Sequence, residues 1–243
     1  MIEITNLTKR YKNATAVSSV SLVAQDGMVT GLLGPNGAGK TTTLRAISGL
    51  LKPDAGGVRV DGLDVSIDPS GVRRRLGVLP ETVGLYDHLT VCEHLMYAGE
   101  LNGLAAESLN RRVQVMLDRF ALSSLSSRRA STLSLGQKRR VAMARILVHE
   151  PANVVLDEPT SGLDVLSARE VRREVRRLAD SGRAVLFSSH VMPEVSAVCD
   201  RVVVMSRGLV VAEGTPGEIM ASAGGGSLED AFVKLIGSDE GLN

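Results

Sequence analysis

Tryptophan is absent from this chain, and tyrosine and phenylalanine occur only three times each. Surfaces that bind nucleic acid by stacking interleave aromatics with basic residues, so aromatics at 2% of the chain argue against that role. Cysteine is nearly missing too. Cys92 and Cys199 stand far apart, which excludes a disulfide framework and suits a reducing cytoplasm. Neither sign of charge dominates: 28 basic residues face 27 acidic ones, for a formal net charge of +1. Nothing therefore draws the chain as a whole to nucleic acid, anionic lipid or acidic partners. Long apolar runs are lacking as well. Stretches free of Asp, Glu, Lys and Arg are short, residues 13–25 for example, whereas a spanning helix needs about 20 predominantly apolar residues. The opening MIEITNLTKR alternates like a strand around Glu3 and does not read as a secretory leader. The expectation is a soluble chain, with room for a peripheral subunit docked on a membrane protein.

What is present is an ordinary globular mixture, 44% apolar and 23% charged over 243 residues. That length suits one large α/β domain or one domain with an inserted subdomain. Residues 2–7 and 17–23 read as half-buried strands. Residues 28–33 form a short apolar run followed by a glycine-rich turn and a helix that Gly49 and Pro53 end. Asp61-Gly62 marks a hairpin within residues 58–65, and 76–79 is a short buried strand. From Val91 to Leu122 the apolar spacing is helical, and residues 82–149 read as a helical insertion into an α/β core. Afterwards 154–156 and 184–187 are buried strands separated by a charged helix over 165–179, whose Arg172, Arg173, Arg176 and Arg177 alternate with Glu170 and Glu174 and read as i,i+3 and i,i+4 pairs on a solvated face. The segments 202–205 and 209–212 follow as strands with Gly208 at the turn. Such alternation predicts a largely parallel sheet. Gly224-Gly225-Gly226 reads as a flexible joint before a terminal helix around 227–236.

Three motifs carry chemistry. Gly34-Pro35-Asn36-Gly37-Ala38-Gly39-Lys40-Thr41 fits G-x-x-x-x-G-K-[ST] between a strand and a helix. Glycines let successive N–H groups turn inward, and the helix N-terminus adds a positive dipole end. Lys40 supplies a mobile charge for β- and γ-phosphates, and the Thr41 hydroxyl suits Mg²⁺. Secondly, the apolar Val154-Val155-Leu156 ends in Asp157-Glu158. Asp157 suits Mg²⁺ through water, while Glu158, on the opposite face, suits polarising an attacking water. Beside a phosphate loop, that reading displaces the bland one of a solvated acidic turn. Thirdly, Leu133-Ser134-Leu135-Gly136-Gln137 precedes a basic, amphipathic helix, placing Ser134 and Gly136 at a second anion-ready helix start. A plain Ser N-cap is the simpler explanation of that segment taken alone.

Together these motifs make residues 2–220 resemble the ATP-binding subunit of an ABC transporter. The resemblance implies a P-loop NTPase of ABC type, α/β in class. Its parts would be a mostly parallel core sheet with flanking helices, an antiparallel N-terminal β-subdomain and an inserted helical subdomain. It divides the chain into residues 1–220, with 82–149 inserted between 1–81 and 150–220, and a short tail, 221–243. In this family residues 133–137 match the signature usually written LSGGQ, with Leu135 in place of the first glycine, and one copy's signature closes over ATP held by another copy's phosphate loop. Tyr11 takes the place of the aromatic that stacks on adenine. Ser161-Gly162-Leu163-Asp164 matches the loop lining the dimer seam, and His190 matches the histidine that senses the γ-phosphate. Glu81 stands where most relatives have Gln, putting a carboxylate near the metal.

The resemblance thus implies a cofactor-binding set of Tyr11, Gly34, Pro35, Asn36, Gly37, Ala38, Gly39, Lys40, Thr41, Thr42, Ser134, Gly136, Gln137 and Asp164. The catalytic set is Glu158, His190, Lys40 and Glu81, and the Mg²⁺ ligands are Thr41, Asp157 and Glu81. Expected cofactors are ATP and Mg²⁺. Expected partners are an integral membrane permease subunit and a second ATP-binding subunit, identical or paralogous, with no nucleic acid. The location implied is peripheral, on the cytoplasmic face of the membrane. Val83, Leu85 and Tyr86 read as the strip that meets the permease. Segments such as GLYDHLTVCEHL and FSSHVMPEV are similar to subunits of sodium-ion and drug exporters. A non-transport ABC ATPase, a phosphate-loop kinase and a binding-only regulatory subunit are the rivals. One phosphate loop in 243 residues, the second anion site at Ser134, and Glu158 with His190 respectively argue against them.

Overall fold

A long antiparallel pair, β1 (Ile2–Tyr11) and β2 (Ala14–Ala24), starts the chain in the computed structural model, which describes residues 1–12 and 14–237. The chain then buries β3 (Val29–Leu33), turns through the glycine-rich loop into α1 (Lys40–Ile47), and returns to the first sheet as β4 (Ala55–Val60) and β5 (Leu63–Asp64). Asp61 and Gly62 both have positive φ, 50° and 78°, and close the expected two-residue hairpin between β4 and β5. α2 (Pro69–Arg75), with proline in its first turn, feeds β6 (Leu76–Leu79).

Three helices follow, α3 (Val91–Leu101), α4 (Ala106–Arg119) and α5 (Leu135–Leu147). Reciprocal capping boxes start two of them, Thr90 with Glu93 on α3 and Ser134 with Gln137 on α5. β7 (Asn153–Asp157), α6 (Val165–Asp180), β8 (Ala184–Ser189), α7 (Met192–Val198), β9 (Arg201–Ser206), β10 (Leu209–Gly214), α8 (Pro216–Ser222) and α9 (Leu228–Ile236) complete the described order.

Two sheets result. One is antiparallel, β2-β1-β4-β5. The other has the order β10-β9-β3-β8-β7-β6, parallel except for β10 at its edge. The strands of the second sheet are apolar on both faces because both are covered. Val154 and Leu156 of β7, with Val185 and Phe187 of β8, join a core that continues into the inserted helices. Val155 and Leu186 point the other way, into a core shared with α1 and the antiparallel sheet. The order β9-β3-β8-β7 leaves the C-terminal ends of β3, β7 and β8 side by side, the edge where such sheets hold ligands.

Two sequence expectations are corrected. Gly224-Gly225-Gly226 is a tight turn with three positive φ angles, not a joint. It folds α9 back onto α7 and α8, where Leu228, Ala231 and Phe232 are buried. Burial of those apolar side chains outweighs the freedom of the glycines. Of the expected tail, residues 238–243 lie outside the described residues. Of the arginines of α6, expected on a solvated face with their own helix's glutamates, Arg177 keeps the expected pair with Glu174 at 3.6 Å, whereas Arg172 and Arg176 tie other elements down. Glu174 is buried and pairs with Arg119 of α4, and Arg172 pairs with Glu194 of α7 at 3.0 Å. Arg176 holds Asp200 at 2.8 Å.

Candidate functional site

The glycine-rich loop runs from the end of β3 to the start of α1. Gly39 sits at φ 103°, and a Cβ there would lie 2.7 Å from the carbonyl oxygen of Ala16, so a side chain is excluded twice over. Gly34 is equally hemmed, since its Cβ would meet the Met205 carbonyl at 2.5 Å. The loop is stitched to its surroundings by the Gly208 amide donating to the Ala38 carbonyl at 3.1 Å. As N-cap of α1, Gly39 provides no capping side chain, so the first-turn amides of the helix keep their capacity for an anion. Lys40, the first helical residue, is buried and folds back over the loop. Its Nζ donates to the Gly34 carbonyl at 2.6 Å and to the Pro35 carbonyl at 3.3 Å.

Adjacent strands supply the acids. Asp157 ends β7, and Ser188 of β8 faces it in register. The Ser188 hydroxyl donates to Asp157 Oδ1 at 2.6 Å and accepts the Glu158 amide at 3.0 Å. Glu158, just past the strand, adopts a left-handed backbone at φ 44°, unusual for a residue with a Cβ. That turn leaves its buried carboxylate between two cationic or protonatable groups. Oε1 is 3.6 Å from Lys40 Nζ, and Oε2 is 3.0 Å from Nδ1 of His190, which stands half exposed beyond the end of β8. Thr41, Glu81 and Asp157 line one cavity at the mouth of the same edge. Their hydroxyl and carboxylate oxygens form the hard donor set that a cation such as Mg²⁺ accepts.

Ser134 and Gly136 do not line that cavity. Ser134 caps α5, its Oγ accepting the Gln137 amide at 3.3 Å, while Gln137 Oε1 accepts the Ser134 amide at 2.9 Å. Gln137 thus closes its own helix, whereas the Ser134 hydroxyl keeps its proton to donate. Gly136 packs against α6, where an added Cβ would lie 2.9 Å from Ser167 Oγ. Leu135, in the departing signature position, is half exposed and its Cδ2 would lie 3.2 Å from a Cβ on Gly162. Asp164 caps α6, accepting from the Leu166 and Ser167 amides and the Ser167 hydroxyl. The Ser167 amide, above all, holds the Asp164 carboxyl below its usual range. Tyr11, half exposed at the tip of the β1–β2 hairpin, carries Lys9 Nζ 5.7 Å from its ring centre. The same hairpin touches the glycine-rich loop at Ala16.

Sequence reasoning missed Ser188, which seats both acids, and Arg139. The Arg139 guanidinium, on α5, donates to the carbonyls of Glu81 at 3.2 Å and Ser161 at 3.3 Å, tying the signature helix to two site loops. Burial pushes its pKa down, against the raising influence of Glu81. Neither residue is legible in a motif, because each acts through a neighbour that the fold brings up. The apolar strip is also redrawn. Val83 and Leu85 pack against the core, and only Tyr86 points out. It lines an apolar groove of about 410 Å³ with Leu50, Tyr97 and Leu101, all substantially exposed.

Residues 17–161 match the family model described as ABC transporter. Over 97% of this chain and 98% of the relative, it is 39% identical to the ABC transporter ATP-binding protein NatA of Bacillus subtilis. It is 38% identical to the lipopolysaccharide export system ATP-binding protein LptB of Escherichia coli, over 95% and 94% of the two chains. A solved ATP-binding subunit of an ABC transporter superposes with a TM-score of 0.89 at 32% identity, covering 97% of this chain and 99% of that one. An ATP-binding cassette solved as a dimer in a post-hydrolysis state with ADP and phosphate gives 0.81 at 25% identity, covering 88% and 98%.

Proposed function

From the premise that this chain belongs to the ABC transporter family, as an ATPase subunit of that family, we propose that two copies close head to tail over ATP. Each nucleotide would lie between the Lys40 loop of one chain and the Ser134 helix of the other. The observation that carries this reading is the placement of Glu158 between Lys40 and His190 at 3.6 and 3.0 Å. A triphosphate that draws Lys40 to its β- and γ-oxygens releases one side of that carboxylate. Glu158 is then free to accept a proton from water in line with the γ-phosphorus, while His190 steadies the γ-phosphate oxygens.

The first-turn amides of α1 and the Lys40 charge neutralise the phosphates, and Tyr11 stacks on the base. Thr41, Asp157 and Glu81 would hold Mg²⁺, which would supply charge neutralisation at the phosphate oxygens when bound. Within one chain the signature packs against Ser167 and Gly162 rather than at the Thr41 cavity. A second copy is therefore required to bring Ser134 and Gly136 over the γ-phosphate. Loss of that phosphate on hydrolysis removes the bridge between the copies.

Among the described residues no helix is long and apolar enough to cross a membrane. The work is delivered to a separate permease subunit on the cytoplasmic face, whose docking place is the groove of Leu50, Tyr86, Tyr97 and Leu101. We propose an exporter of sodium ions, drugs or another small solute; the probable multidrug ABC transporter ATP-binding protein YbhF, at 36% identity, supports a drug as cargo, and the likeness of GLYDHLTVCEHL and FSSHVMPEV to exporter subunits supports the wider reading. The reading is tested with Glu158→Gln. That chain is expected to bind ATP, lose phosphate release, and elute from a sizing column as a nucleotide-bound dimer. Wild-type turnover in this variant would remove Glu158 as the base.

A further inference from the structure

Two buried polar side chains and a partly buried arginine next to the site take no part in the chemistry above. Glu194, in the first turn of α7, is 9% exposed, and Thr160, two residues beyond Glu158, is 8% exposed. Thr160 Oγ1 donates to Glu194 Oε2 at 2.5 Å, and Arg172 Nη1 of α6 donates to Glu194 Oε1 at 3.0 Å. One carboxylate thus ties together the turn behind Glu158, the helix capped by Asp164, and the helix that begins just after His190. An ion pair that buries a carboxylate is often no better for stability than well-packed apolar side chains, so its presence calls for a geometric reason. The geometry around Glu158 supplies one. Its left-handed φ of 44° is a strained state for a glutamate and persists only where the surroundings enforce it. The turn is closed from within by the Ser161 amide donating to the Glu158 carbonyl at 3.1 Å and the Leu163 amide to the Thr160 carbonyl at 3.1 Å. Besides the Glu158 carboxylate itself, the Thr160 side chain fastens that turn to a different element, α7.

We propose that Glu194, acting through Thr160, is a positioning residue that holds the Glu158 turn in register with His190 and with the Asp164 loop. The proposal rests on the reading of Glu158 as the base. Without the link, nucleotide still binds, because Lys40 and the α1 amides are untouched, but the base is misplaced. Misplacement by about 1 Å is enough to cost up to about 10²-fold in rate.

The test uses the purified full chain with ATP and Mg²⁺, measuring phosphate release across ATP concentrations and thermal unfolding. Thr160→Val removes the hydroxyl at nearly constant volume and leaves the Glu194–Arg172 pair in place, so this variant is expected to fold even if Glu194→Gln does not. It is expected to lower kcat at least about tenfold with KM for ATP within about twofold of wild type, and Thr160→Ser to restore kcat. The double variant Thr160→Val with Glu194→Gln is expected to be no slower than the slower single one. Unchanged kcat in Thr160→Val, or a loss that follows unfolding and that serine does not restore, overturns the positioning role. Wild-type chain and Glu158→Gln are run alongside. Turnover in Glu158→Gln equal to wild type overturns the base and this proposal together, whereas a dead Glu158→Gln beside a normal Thr160→Val overturns this proposal alone.

Discussion

Nδ1 of His190 stands 3.0 Å from Oε2 of Glu158, across the gap between the C-terminal ends of two adjacent parallel strands. The carboxylate is buried and the imidazole is half exposed, so the histidine is the member of the pair that is free to swing toward a ligand. His190→Ala is expected to lower kcat by about 10²-fold or more, the scale of losing one group that holds transition-state charge, while ATP affinity changes little. Phosphate release and nucleotide binding, measured side by side, check this.

The seam is checked at Ser134. A carboxylate there would face the γ-phosphate of the other copy's nucleotide without touching the phosphate loop of its own chain. Ser134→Glu is expected to abolish the ATP-dependent dimer when placed in the Glu158→Gln background, with single-chain ATP binding retained. Dimer elution unchanged by the added charge would place the signature away from the ligand.

Docking on a permease is checked in the groove. Tyr86→Asp and Leu101→Glu put charge on an apolar wall whose lining does not include Lys40, Thr41, Glu81, Asp157, Glu158 or His190. Both are expected to break co-purification with the membrane subunit and stop transport, while basal hydrolysis by the free chain stays within about twofold. Co-purification surviving both substitutions would move the docking place elsewhere.

Acid stability follows from His94. Its Nε2 accepts the Tyr86 amide at 2.9 Å, and its Nδ1 lies 2.8 Å from the Thr90 carbonyl, a pairing that the neutral ring alone can make. Burial, the largest influence, lowers its pKa below the ordinary 6.5. Burial lowers that of His149 as well. A histidine depressed in the folded state binds its proton more readily when unfolded. Its contribution to stability is therefore intact above pH 6.5 and is lost as pH falls below that value. Melting temperature is expected to fall from pH 7 toward 5, and His94→Gln, which does not titrate, to flatten part of that slope. An unaltered slope in the variant would remove His94 as a cause.

Much of the fold was legible because its signals are local. The hairpin at Asp61-Gly62, the strand at 76–79 and the helix after Lys40 are each set by a few neighbouring residues. Glu174 and Arg172 were misread for the opposite reason. A charged heptad looks solvated until Arg119 and Glu194 arrive from distant elements to pair with it. Likewise three consecutive glycines read as a joint, and only the burial of Phe232 against the core shows them as a turn.

By itself the sequence determined which chemistry is available: a glycine loop with Lys40, an acidic strand end at Asp157-Glu158, and a second helix start at Ser134. These depend on backbone geometry and residue type over a few positions, which the chain carries wherever it goes. Tertiary structure alone decided that Ser188 seats both acids, that Glu158 lies between Lys40 and His190, and that Ser134 and Gly136 stand outside the cavity lined by Thr41, Glu81 and Asp157. Those relations cross strands and helices far apart in sequence, and only the packing of two apolar cores on either side of one sheet brings them within bonding distance.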